Sequence, residues 1–270
     1  MSTKLDQILL TTRASVTMAK ARVSQSDLER IATAHQPRSW AAALRRRSLS
    51  EPAIIAEIKK ASPSRGLIRE NFDVSWLAQR YQEGGAAALS VLTDEPYFQG
   101  TLGNLELASN AVKLPCLRKD FIIDEYQIIE ARAHCADAIL LIAAALTSDE
   151  LKRFSAAAHE HALDVFVEVH TASELEQVLD ALGEKGADAI GVNNRDLKTF
   201  EVRMETSIEL ADRIPASVIR VAESGISASE DIDGLRNAGF DAFLIGESLM
   251  RQPDPGAALA ALLAGSRITR

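Results

Sequence analysis

One pattern recurs eight times along the chain: a short apolar, β-branched run followed by an amphipathic helical stripe. The runs are residues 53–58, 88–92, 114–119, 138–142, 164–169, 189–193, 218–222 and 242–245. Each is too short for a helix, and their near-continuous apolarity suits strands buried on both faces of a parallel sheet. Between them, Val74, Leu77, Ala78 and Tyr81 sit at i, i+3, i+4, i+7, as do Leu175, Val178, Leu179 and Leu182; such stripes face one side of a helix. Thr147 with Glu150, Thr171 with Glu174, and Ser227 with Glu230 have capping-box spacing. Gly183 and Gly239 stand where left-handed C-caps are expected. The last helix is expected over residues 255–263, with Pro255 in its first turn. Strands alternating with crossover helices make a parallel sheet, and eight units close an α/β (β/α)8 TIM barrel. A doubly wound open sheet is the alternative, but no Gly-x-Gly-x-x-Gly follows any strand, which counts against a dinucleotide domain.

The 270 residues suit one such barrel. The first 50 or so precede the first strand and also read helical. Leu5, Ile8 and Leu9 begin one stripe, and Ser26 with Glu29 is expected to cap another around Leu28 and Ile31. This is too short for a separate domain, so residues 1–270 read as a single barrel domain in which 1–50 form a helical N-terminal extension packed across one of its mouths.

Composition narrows the function. The longest apolar run, Ala138–Leu146, has nine residues, too few to span a membrane. No charged n-region and apolar core mark a secretory signal. Cys116 and Cys135 lack metal-ligand spacing and read as reduced, buried thiols, which suits the cytoplasm. A net charge of −8 and 5% aromatics argue against a nucleic-acid binder while leaving room for a local basic pocket. The expected partner is a small molecule; a monomer or small homo-oligomer is expected, with no nucleic-acid or membrane partner.

Barrel active sites lie at the C-terminal ends of the strands. Glu57 and Lys59 share a parity on the first strand, so both point to one face. Lys119 ends the third strand, Glu168 the fifth and Glu223 the seventh. Taken singly, each charge also fits a core ion pair or a solvated strand end. A solvated charge run, however, would not recur at the same point of successive units. Five ionisable groups converging on one concavity need mutual pairing and a ligand, and would shift one another's protonation as acid–base catalysts require.

A second signal sits in the last two loops. Ser224-Gly225 and Gly246-Glu247-Ser248 are short glycine- and hydroxyl-rich turns where barrels often bind phosphate, and Ser62 in the first loop adds a hydroxyl. Tight turns alone would also use glycine there. His159 and His161, near the end of a predicted helix, read as a complement to its dipole. His170 follows Glu168 and is expected to face the opposite way, in a structural role. The carboxylates are not spaced as a metal cage, and their basic partners argue against a metal site.

Ile55-Ala56-Glu57-Ile58-Lys59-Lys60-Ala61-Ser62-Pro63-Ser64 resembles the first-strand signature of the indole-3-glycerol phosphate synthase family. So do residues 92–100, Leu117-Arg118-Lys119-Asp120-Phe121, Gly191-Val192-Asn193-Asn194-Arg195-Asp196-Leu197, Ala222-Glu223-Ser224-Gly225-Ile226 and residues 244–250. The first-strand and Asn-Asn-Arg-Asp-Leu motifs are specific; other phosphosugar barrels share the two glycine loops. The resemblance implies cyclisation of 1-(2-carboxyphenylamino)-1-deoxyribulose 5-phosphate to indole-3-glycerol phosphate, with loss of carbon dioxide and water, in tryptophan biosynthesis. It implies no cofactor. Lys119 would be the general acid, fixed by Glu57 and Asn193. Glu168 would be the base that completes dehydration, with Glu57 and Glu223 orienting the lysines and sugar hydroxyls. Lys59 and Arg195 would hold the anthranilate carboxylate, and Lys59 would also assist loss of hydroxide. Ser62, Ser224, Gly225, Gly246 and the Glu247 backbone would take the phosphate, with the Glu247 side chain turned away. Pro63, Phe98, Phe121, Leu140, Ile142 and Leu197 would form the slot for the aromatic ring. Competing readings are a phosphoribosylanthranilate isomerase, a Schiff-base aldolase using Lys59 or Lys119, and a non-catalytic phosphate-ligand-binding barrel.

Overall fold

A computed structural model of the chain describes residues 3–183, 185–196 and 201–266. Eight parallel strands close into a barrel: β1 (Ala53–Ile58), β2 (Ala88–Leu92), β3 (Cys116–Lys119), β4 (Ala138–Ile142), β5 (Asp164–Val169), β6 (Ala189–Asn193), β7 (Ile219–Glu223) and β8 (Ala242–Ile245). Each pairs with its sequence neighbours, and β8 pairs with β1. The third strand starts later than its apolar run suggests. The seventh is shifted by one residue, so that Glu223 is its last paired position.

Alternation sorts the side chains. Odd positions of β1, such as Ala53 and Ile55, join Leu117, Leu140, Phe166, Val221 and Leu244 inside the barrel. Even positions, such as Ile54 and Ile58, pack outward against the crossover helices with Leu89, Ile139 and Val165. A run apolar at every position satisfies both faces.

The helix-start expectations hold in part. Thr147 and Glu150 form a capping box. Gly183 and Gly239 both have positive φ at helix ends (59° and 97°), but Gly183, with ψ −158°, lies outside the left-handed helical region expected of it. Thr171 accepts from the Glu174 N–H, but the Glu174 carboxylate turns to His170. The helix after β7 starts one residue later than expected. Its capping carboxylate is Asp231, which accepts from the Ser227 and Ala228 N–H groups; Glu230 takes no part in the cap. The last helix runs Pro255–Gly265. Cys116 is buried, whereas Cys135 is only half-buried; both are free thiols.

The N-terminal extension reaches both ends of the barrel, not one. Helix α1 (Lys4–Arg22) brings Ile8 into the apolar cluster of the C-terminal mouth. Helix α2 (Gln25–Ala32) is capped by Ser24, whose hydroxyl accepts from the Asp27 N–H, in place of Ser26 with Glu29, and packs Leu28 against Tyr126 and Ile129 on the barrel's flank. Helix α3 (Trp40–Ser48) closes the N-terminal end. There Trp40, fully buried, lies 5.4 Å from the Phe166 ring. The link before α3 is fixed by buried Asp137. Its carboxylate accepts from the Arg38 backbone N–H (2.7 Å), Nε (3.0 Å) and Nη2 (2.7 Å), and from the Cys116 N–H (2.7 Å). Among the described residues, no helix is long and apolar enough to cross a membrane.

Candidate active site

The C-terminal mouth holds a cavity of about 490 Å³. Every candidate residue named above lines it except Leu197, which lies outside the described residues. The cavity is also walled by residues that the sequence reading did not assign to the site: Lys4, Leu5 and Ile8 of α1, Arg65, Asp94 and Arg251. Their places depend on how distant segments fold over the mouth.

The floor is a lattice of opposite charges. Glu57 pairs with Lys59. Lys119 Nζ donates to Glu168 Oε2 at 2.8 Å and lies 3.5 Å from Glu223 Oε2. The fixing of Lys119 expected of Glu57 and Asn193 therefore falls to Glu168 and Glu223. Asn193 instead accepts from the Arg195 N–H at 3.0 Å. Glu57 still acts on Lys119 through its field: burial would favour the neutral amine, but Glu168, Glu223 and Glu57 outweigh it and hold Lys119 cationic. Burial also opposes ionisation of Glu168, but Lys119 and then His170 override it and keep its carboxyl ionised. Glu223 is driven the other way. Burial favours its proton, and the charges of Glu168 and Glu57 add to this against the pull of Lys119. Two carboxyls around one lysine are thus split into an ionised one and a proton-holding one.

Two glycines make room for these carboxylates. A β-carbon on Gly246 would overlap Glu57 Oε1, and one on Gly191 would overlap Glu223 Oε1 and the Phe166 ring.

The last loops adjoin this lattice, with Ser224 directly after Glu223 and Gly246 against Glu57. Ser224 and Gly225 both have left-handed φ (67° and 86°), a cost to a serine that persists where the surroundings dictate it. Buried Asn194 holds this turn. Its amide donates to the Ser224 carbonyl at 3.1 Å, while its Oδ1 accepts from the Ser207 N–H and hydroxyl. The Ser62 hydroxyl is buried in the cavity wall with no partner among the described residues, a donor awaiting an acceptor. The Glu247 carboxylate stays at the rim, tied to Arg251 (3.1 Å), Arg65 (3.3 Å) and Arg195 (3.8 Å). These three arginines offset its negative charge. Phe98 and Phe121 stand 6.3 Å apart in the apolar wall.

His170 departs from expectation. Residues two apart on a strand share a face, and its Nε2 lies 3.3 Å from Glu168 Oε1. His159 pairs with Asp188 at 2.9 Å, away from the cavity. Among the described residues, no group of three or more His, Cys, Asp or Glu side chains is arranged to hold a metal ion.

The family model of indole-3-glycerol phosphate synthase matches residues 5–262. The chain belongs to the indole-3-glycerol phosphate synthase family. It is 53% identical to indole-3-glycerol phosphate synthase of Koribacter versatilis over 97% of this chain and 100% of that one. It is 47% identical to that of Burkholderia vietnamiensis, over 96% and 98%. Among solved structures, 3-hexulose-6-phosphate synthase from Salmonella typhimurium superposes with a TM-score of 0.62 at 11% identity, covering 80% of this chain and 100% of that one. Thiamine phosphate pyrophosphorylase from Pyrococcus furiosus gives 0.58 at 15%, covering 78% and 93%. At such identities these two establish only the shared barrel. The family assignment makes the chain a decarboxylating lyase of tryptophan biosynthesis.

Proposed function

We propose that this cavity closes the indole ring of 1-(2-carboxyphenylamino)-1-deoxyribulose 5-phosphate, releasing carbon dioxide and water. The observation that carries the reading is Lys119, buried and cationic between Glu168 and Glu223, beside the Glu57–Lys59 pair and below an apolar wall.

The phosphate binds at the Ser224-Gly225 and Gly246-Glu247 backbone and the unpartnered Ser62 hydroxyl. Lys59 and Arg195 take the carboxylate, and Phe98 and Phe121 face the ring. Lys119 protonates the ketone oxygen as the carboxylate-bearing ring carbon attacks. A lysine held cationic both stabilises the growing oxyanion and donates once the alkoxide forms. Loss of carbon dioxide returns its electron pair to the ring, and hydroxide leaves as water with a proton from Lys59. Glu168 removes a proton from the former ribulose C1 methylene, and that C–H pair becomes the indole double bond.

The 2.8 Å contact couples the acid to the base. Once Lys119 has given up its proton, Glu168 loses a stabilising cation and becomes a stronger base. The proton it collects then returns to Lys119 across the same contact. A Schiff-base role for Lys119 is disfavoured, because a nucleophilic lysine must be neutral.

Purified protein given this substrate should develop indole fluorescence and release carbon dioxide without added metal or cofactor. Absence of turnover by a folded sample would overturn the proposal.

A further inference from the structure

We propose that His170, acting through Glu168, is a positioning residue for the proton-abstraction step. This rests on the reading of Glu168 as the base.

Glu168 has two carboxylate oxygens with different partners. Oε2 takes the Lys119 ammonium at 2.8 Å, and Oε1 faces His170 Nε2 at 3.3 Å. That nitrogen has no other partner among the described residues and makes no well-aligned hydrogen bond, so the link is a charge contact. The far side of the ring is anchored. Both the His170 backbone N–H (2.7 Å) and Nδ1 (3.2 Å) reach Glu174 Oε2, in the first turn of the helix Ala172–Leu182. His170 is outside the cavity wall, behind Glu168.

The reaction explains why a second cation belongs there. Lys119 gives its charge away during ring closure; Glu223 from β7, held toward its neutral form, and Glu57 from β1, paired with Lys59, offer Glu168 no cation in its place. The β4 and β6 positions level with Glu168, Ile142 and Gly191, carry no charge. Among the described residues, His170 is then the remaining cation in contact with the base. It keeps one oxygen fixed and ionised while the other turns to the C1 methylene. Burial would strip the imidazolium of its proton, but Glu168 and Glu174 outweigh that and raise its pKa to about 10. The charge therefore persists across the working range.

Three variants test this: His170→Asn, Glu174→Gln and Glu168→Gln. His170→Asn should lower kcat about 10- to 100-fold, the range expected when a reacting group is mispositioned. KM should stay within about twofold, because no substrate contact is removed. The acid limb of the kcat–pH profile should move up by at least about one unit, since Glu168 has lost a cation. Substrate deuterated at the ribulose C1 methylene should show a larger isotope effect on kcat than with the unaltered enzyme. A purely structural role would not raise that isotope effect. Glu174→Gln, which leaves the ring in place, should shift all three readouts less and in the same direction. It also keeps the test usable should His170→Asn fail to fold. Adding His170→Asn to Glu168→Gln should cost nothing further, because the two act as a unit. Wild-type kcat in Glu168→Gln would remove the base assignment itself. An impaired Glu168→Gln beside His170→Asn and Glu174→Gln with unchanged kcat, pH profile and isotope effect would overturn the role of His170 alone.

Discussion

At the scale of single residues, the mouth is governed by which groups can share a small volume. Gly246 illustrates this. It reads as a phosphate-loop glycine, yet the space a side chain there would fill is taken by Glu57. Gly246→Ala should therefore push Glu57 off Lys59 and lower kcat by up to about a hundredfold, the cost of roughly 1 Å of misplacement. A change confined to KM would show the glycine to serve phosphate alone. Lys119→Met should lower kcat by about 10²–10⁴ and leave Glu168 and Glu223 buried without their common cation. Its folding should be checked by circular dichroism before the kinetics are read. His170 gives a pH signature in stability. Its pKa rises from 6.5 unfolded to about 10 folded, so the folded state binds more protons between those values. The stabilisation is complete below pH 6.5 and fades as pH climbs through 10. The stability gap between wild type and His170→Asn in urea denaturation should shrink over that window; a gap that widens would contradict the assignment. Parity on the first strand joins Glu57 to Lys59, and recurrence at successive strand ends adds Lys119, Glu168 and Glu223, all from the sequence. The same parity, applied consistently, also turns His170 toward Glu168. Which carboxylate pairs with which lysine was not legible, because it depends on the stagger between strands.

At the scale of elements, alternation does two jobs on one short strand. Lys119 points into the barrel while its neighbour Arg118 points outward, buried, to Asp120 (3.1 Å) and Glu130 (2.9 Å) and to the Gln127 carbonyl at 2.8 Å. Thr93, just past β2, donates to the same Asp120 oxygen at 2.5 Å. This network ties the ends of β2 and β3 to the helix Tyr126–Ala133 and so fixes where Lys119 emerges. Removing one member of a buried charge cluster typically costs about 3–5 kcal/mol. Arg118→Ala should lose roughly that much in denaturant unfolding, and the folded fraction should show reduced kcat with little change in KM. A loss below about 1 kcal/mol, the range of surface pairs, would mean the network does not anchor the strand. The eight strands were legible to within two residues because both faces are apolar. Helix starts were less so. Around Ser227 a serine with an acid three residues on matched the capping pattern, but the acid four residues on reached the backbone first. Competing side chains within one turn have near-equal claims on the same N–H groups.

At the scale of the whole molecule, the N-terminal extension serves opposite ends of the barrel, with α1 at the cavity and Trp40 packed on Phe166 at the other end. That division was not legible from residues 1–50, since an amphipathic stripe says which face is buried and nothing about which mouth receives it. It follows once Asp137, at the foot of β4, captures Arg38 and His35. That clamp delivers Trp40 to the floor and leaves α1 to run back to the open mouth, where Ile8 meets the cavity and Thr11 meets the Tyr97 hydroxyl at 3.0 Å. Substitutions at the two ends should therefore part company. Trp40→Ala removes a fully buried ring and should cost about 3–5 kcal/mol. For a chain of this size that is a fall in Tm of about 10 °C, with KM unchanged at temperatures where the protein stays folded. Ile8→Ala trims the wall beside Phe98 and Phe121. It should cost less in Tm but raise KM several-fold, since about 1.4 kcal/mol of lost contact is tenfold in binding. Thermal unfolding and indole-fluorescence kinetics on the two variants decide the matter: a KM raised equally by both would mean that the extension acts on the barrel as one body, with the floor helix transmitting strain to the mouth.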